Sequence, residues 1–179
     1  LTTASWGNTT TTSWDNFSLS SPAVAPTTVT TYLSDLPYFD DSGIHSGGTL
    51  SSNNIDRSFG GYDISSYNSG ETWVKGIDLT PQNAITSTVS WNIPSGTTTF
   101  ETVLIFNIPL ANSTASFWFI IRDDDTHYEQ HYFTKDTADM PISIDVSGAS
   151  VLTLQVNPAG SNNSDHAVYA DAKFIGPVV

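Results

Sequence analysis

From Val29 to the end of the chain, short runs of β-branched and aromatic residues recur, broken every few positions by Gly, Pro, Asn or Asp. Such punctuation leaves no room for helical periodicity and predicts a β-sandwich or barrel of many short strands. Strands are expected over 29–32, 72–77, 85–91, 99–106, 116–121, 126–134, 142–145, 151–156 and 167–175. The alternation is clearest in Val151-Leu152-Thr153-Leu154-Gln155-Val156, which sets Leu152 and Leu154 on one face. Asp123-Asp124-Asp125, between two aromatic runs, predicts a hairpin turn. By contrast, the stretch 37–70 is turn-rich and poor in strand formers, and it reads as a long loop, the usual seat of function on a rigid scaffold.

The first 28 residues differ in kind. They are rich in Ser and Thr and closed by Pro22 and Pro26, yet they carry Trp6, Trp14 and Phe17. Disordered segments are poor in aromatics, so the division is an N-terminal Ser/Thr-rich arm over 1–28, docked on a sandwich over 29–179.

Composition narrows the function. With 179 residues the chain can bury a core without covalent staples, and it has no cysteine, which excludes disulfides, thiolate metal sites and cysteine nucleophiles. Eighteen acidic residues against five basic give a formal net charge of −13, which repels phosphate backbones and anionic lipid headgroups. Nucleic acid is therefore a poor partner, and membrane insertion is not expected. The chain begins at Leu1 and has no apolar run long enough to span a bilayer, so a processed, secreted, extracellular product is expected. Sequons at Asn8, Asn16, Asn112 and Asn162 permit N-glycans.

Four motifs then occur in order: Tyr32-Leu33-Ser34-Asp35-Leu36, Asp56-Arg57-Ser58-Phe59-Gly60-Gly61, Trp73-Val74-Lys75-Gly76, and Asp165-His166-Ala167-Val168-Tyr169-Ala170-Asp171-Ala172-Lys173-Phe174. Together they resemble the motif series of the NPCBM family, the novel putative carbohydrate-binding module, over about Thr31 to Gly176. The resemblance implies a galactose-binding-like β-sandwich of jelly-roll type, usually attached to glycoside hydrolases, with galactose-type sugars among its ligands.

Sugar binding needs an aromatic face for the apolar side of the ring and planar polar groups for its hydroxyls. The loops supply both: Trp73, Tyr62, Tyr38 and Tyr67 as platforms, and Asp56, Arg57, His45, Asp165 and His166 as hydroxyl contacts. Each has a structural alternative. Trp73 at a strand start serves equally as core filling. Arg57, one of two arginines in an acidic chain, is expected to pair with Asp35 or Asp171, and His166 reads equally as a core histidine after a turn. Asp171 inside a strand calls for a partner such as Arg57 or a bound cation. Asp40, Asp41, Asp123 and Asp125, with Asp35, are oxygen donors for a structural Ca²⁺. His127, Glu129 and His131 share a strand face that would suit Zn²⁺ or Cu²⁺, against the plainer reading of an exposed polar face.

Nothing marks a catalytic centre. The chain lacks a G-x-S-x-G elbow, a P-loop and a Rossmann fingerprint. A glycoside hydrolase would need two carboxylates facing across a cleft, and none of Glu71, Glu101 or Glu129 is singled out by its context. A lyase would need cationic groups around a uronate, the wrong sign for this chain. Non-catalytic glycan binding is thus the expected function, with no cofactor required. A polysaccharide-active hydrolase or lyase, and a structural or adhesive cell-wall protein, stand as alternatives.

Overall fold

The computed structural model describes residues 27–44, 49–52, 54–58, 61–81, 85–107, 115–124, 127–159 and 166–177, with only the backbone of 127 and 128. The expected arm, apart from its last two residues, and all four sequons lie outside these residues.

Twelve strands make the described architecture: β1 (Thr28–Tyr32), β2 (Tyr38–Ser42), β3 (Ile64–Ser65), β4 (Thr72–Trp73), β5 (Gly76–Asp78), β6 (Ser87–Asn92), β7 (Thr99–Phe106), β8 (Ser116–Asp123), β9 (His127–Thr134), β10 (Met140–Asp145), β11 (Val151–Pro158) and β12 (Ala167–Pro177). A single 3-10 turn, Leu33–Asp35, follows β1. One sheet runs β1-β12-β7-β10, with β5 also on β12; the other runs β2-β6-β11-β8-β9. All of these pairings are antiparallel. The expected hairpin at Asp123-Asp124 joins β8 to β9, with Asp123 opposite His127.

The sheets pack face to face because each strand alternates. In β11 every second residue is buried, Leu152, Leu154 and Val156 among them, while Val151, Thr153, Gln155 and Asn157 are half-buried on the far side. Aromatic rings fill the space between the sheets. Phe106 stacks on Phe117 at 5.5 Å between centroids, and Phe119 meets Phe133 at 4.9 Å and Tyr169 at 4.8 Å, both edge to face. Tyr169 crosses the core from β12. Its hydroxyl reaches the carbonyls of Ile120 (2.9 Å) and Gln155 (2.7 Å) in the opposite sheet. Full burial of the phenol pushes its pKa far above the ordinary tyrosine value.

Two expectations are corrected. The strand read over 72–77 is broken: β4 pairs with β3, β5 pairs with β12, and Val74 between them is exposed. The chain changes partner here, and Gly76 permits it, since a Cβ there would lie 2.8 Å from Ile64 Cδ1 and 2.9 Å from the Tyr169 carbonyl oxygen. The loop read over 37–70 contains β2 and β3. Strand β2 hid its alternation because its register on β6 shifts between Phe39 and Ser42, a bulge with Asp40 at φ +51°.

The hairpin β3–β4 lies over the outer face of the first sheet. Ile64 and Trp73 pack there on Ile105, Val168 and Ala170, a small apolar cluster separate from the main core.

Candidate functional site

The pairing registers bring the ends of β2, β5, β7, β9 and β11 and the starts of β6, β8, β10 and β12 to one end of the sandwich. Backbone bonds stitch this end together, from Leu79 N to Ala167 O (3.0 Å) and from Asn107 N to His166 O (2.9 Å). The segment 54–58 runs beside β5, with Asp78 N donating to Asn54 O and Asp56 N to Gly76 O, each at 2.9 Å. Asp78, buried, secures the segment: its carboxylate accepts from Ser58 Oγ (2.9 Å), Thr80 N (2.7 Å) and Thr80 Oγ1 (2.6 Å).

Asp56 takes a left-handed angle, φ +57°, and turns its carboxylate back onto the body. It accepts from Gly76 N (3.2 Å) and from Lys75 Nζ (2.9 Å). Asp35, at the end of the 3-10 turn, takes the same ammonium at 2.5 Å, and Tyr32 lies beneath it with its ring centroid 5.9 Å away. The hydrogen bonds that Lys75 donates to Asp35 and then to Asp56 hold its ammonium above its ordinary value. Lys75 O in turn accepts from Asp171 N (2.9 Å). All four sequence motifs thus meet at one lysine.

Past Asp56 the chain faces outward. Arg57 Nη1 donates to Gly61 O (3.1 Å) and stands 3.8 Å from Asp63 Oδ1, with the arginine side chain 55% exposed. Tyr62, bridged to Ser58, is 52% exposed. Trp73 sits on the adjoining hairpin, half-buried against the satellite cluster. Asp56, Arg57 and Tyr62 thus lie on one loop that leads into the β3–β4 hairpin, on which Trp73 sits. A propped guanidinium beside an exposed phenol is the pairing of planar donors and ring face that a pyranose requires.

The other candidates fall elsewhere. His45, Asp125 and Asp165 lie outside the described residues. His166 is 2% exposed. Tyr38 donates its hydroxyl to Leu50 O (3.0 Å), and Tyr67 edges onto Phe106. The Arg57 pairing with Asp35 or Asp171 is not formed: Asp35 is held by Lys75, and Asp171 by Lys173 Nζ at 2.6 Å. Lys173 also explains Asp171 without a bound cation. A bulge in β12 between Ala170 and Lys173 lets both side chains meet.

Among the described residues, no three His, Asp or Glu side chains gather where they could hold a metal. Asp41 Oδ2 accepts from Leu50 N (2.7 Å), Asp40 occupies the β2 bulge, and Asp123 is buried at the end of β8. His131 Nε2 lies 3.0 Å from Glu129 Oε2, and the His127 side chain is outside the description. Sequence reading passed over Lys75 and Asp78. Lys75 lay within the strand expected over 72–77 and Asp78 just past it, and only the fold shows what they hold.

No curated protein sequence matches the chain. Among solved structures it resembles the CBM51-2 and INT domains of Clostridium perfringens ZmpB, at 29% identity and a TM-score of 0.69, over 83% of this chain and 32% of that one. A second structure of those domains, with CBM51-2 in complex with GlcNAc, matches to the same extent. The chain thus spans about a third of the length of those polypeptides. The CBM51 module of a Clostridium perfringens GH95 enzyme, in complex with methyl-galactose, matches at 25% identity and a TM-score of 0.67, over 82% of this chain and 99% of that module. Residues 29–175 match the sequence model of the NPCBM/NEW2 domain, and the chain belongs to that family.

Proposed function

We propose that this chain is a non-catalytic glycan-binding module for neutral, galactose-type sugars, acting outside the cell. The observation that carries the reading is the family membership together with a fold shared, over nearly the whole of the relative, with a module that holds methyl-galactose. The chain's own residues agree with it. Arg57 and Tyr62 stand exposed on the loop that leads into the hairpin carrying Trp73, while Asp56 is turned inward to Lys75 and is unsuited to act as a solvent-facing acid.

A glycan array run with and without a chelator tests the proposal. Selective retention of galactose-terminated glycans is expected, and Arg57→Ala and Trp73→Ala should each weaken it by about tenfold or more, the loss of one charged hydrogen-bonding group or one stacked ring. Absence of retention would favour a protein-contacting role, and cleavage of a printed glycan would establish an enzyme. Retention lost to the chelator would assign a cation to the site.

A further inference from the structure

The outer face of the second sheet carries features that a merely solvated surface does not need. Trp118 on β8 and Tyr132 on β9 are directly opposite each other, with ring centroids 4.9 Å apart and planes inclined at 50°. Their neighbours Phe117, Phe119 and Phe133 fill the core, so alternation turns this pair away from it, and Tyr132 is 47% exposed. Across β8, Asn157 lies opposite Trp118 and Gln155 opposite Ile120. Both amides are held in place: Asn157 Nδ2 donates to Thr86 Oγ1 (2.9 Å) and Gln155 Nε2 to Thr88 Oγ1 (3.2 Å). In a chain with eighteen acidic residues, the described outward positions of β6, β11, β8 and β9 carry no carboxylate, and Arg122 is their one charge.

We infer that this face is a second glycan-binding surface, a platform for an extended neutral polysaccharide. Two rings offer apolar faces to the pyranose CH surfaces, and a row of fixed amides meets the equatorial hydroxyls. The row Tyr132–Trp118–Asn157–Thr86 crosses four strands, roughly 14 Å at about 4.8 Å per strand, which suits several linked rings rather than one terminal sugar. The one charge among these outward positions, Arg122, stands at the turn end of the face with Asp124 lining the same concavity, so the face presents opposite charges together there and none along the ring-and-amide row, and the occupant is neutral. This surface is distinct from the Arg57 region on the other sheet, and occupation of both would raise the hold on one polymer by effective concentration.

Native affinity electrophoresis in gels containing a soluble β-linked galactan or a soluble cellulose ether tests the inference. The wild type should be retarded by at least one of the two. Tyr132→Ala and Gln155→Ala, both at the surface, should each weaken that retardation, the ring by about tenfold, with the thermal midpoint and any methyl-galactose binding unchanged. Trp118→Ala should act in the same direction. Retardation unaltered in these variants, or absent in the wild type, overturns the inference whatever methyl-galactose does. Sedimentation that shifts from dimer to monomer in Tyr132→Ala, with polysaccharide affinity retained, also overturns it and assigns the face to a second copy of the chain.

Discussion

Four non-glycine residues among those described take left-handed backbone angles, Asp40, Asp56, Asp124 and Asp171, and all four are aspartates. The short polar side chain tolerates this region and bonds locally, where a β-branched residue would be strained. Asp40 and Asp171 sit in bulges of β2 and β12, Asp124 in the β8–β9 turn with its carboxylate accepting from Ser150 N, and Asp56 on the loop entering the site. Asp40 and Asp171, both offered to a cation by the sequence, thus shape the backbone. Replacing Asp171 separates the two roles. Asp171→Asn keeps the conformation and should change stability by no more than about 1 kcal/mol in urea unfolding, whereas Asp171→Val adds backbone strain and should cost about 2–3 kcal/mol.

At the scale of elements, β12 organises the first sheet by giving its single edge to two partners, β1 along Lys173–Pro177 and β5 along Val168–Ala170. Where these partners meet, Lys75 draws the 3-10 turn, the 54–58 segment and β5 together through Asp35 and Asp56. Its ammonium is held above the ordinary 10.5 by those hydrogen bonds. The folded pKa therefore exceeds the unfolded one, so the stabilisation is fully present below about 10.5 and is lost as pH rises through the folded value. Between pH 9 and pH 11.5 or so the wild type should lose more stability than Lys75→Met, read as urea midpoints at each pH. Equal losses would remove Lys75 as the clamp.

Across the whole molecule, two five-stranded sheets meet through an aromatic core, and Tyr169 is a polar link between them. Removing its hydroxyl leaves buried carbonyl groups at Ile120 and Gln155 with one donor fewer. Tyr169→Phe should cost about 1–3 kcal/mol in thermal or urea unfolding without altering methyl-galactose binding at the Arg57 region, because the hydroxyl lies in the core against the backbone of β8 and β11. A loss of that binding with stability unchanged would contradict that separation. The net charge of −13 acts at this scale as well. It disfavours polyanionic partners over the whole surface, while the described outward positions of β6, β11, β8 and β9 carry no carboxylate.

Strand identity was legible because a sandwich strand records its burial in a period of two, as in Val151–Pro158, where Leu152, Leu154 and Val156 point inward as the text predicts. Beta2 and the β4–β5 break were not legible, since a bulge shifts the period and a change of partner leaves it intact. The motifs carried the family, and of the candidates read from the residues Asp56 is held by Lys75 while Arg57 and Tyr62 stand exposed. The partner of Arg57 could not be read, because Asp35, Asp63 and Asp171 are alike as letters and differ only in which cation the fold brings near. The sequence by itself determined the sandwich, its acidic character and its kinship, because periodicity, composition and motif order are properties of the chain alone. The tertiary structure decided which aspartates shape turns, which hold Lys75, and that Trp118 faces outward beside Tyr132, because those depend on neighbours distant in sequence.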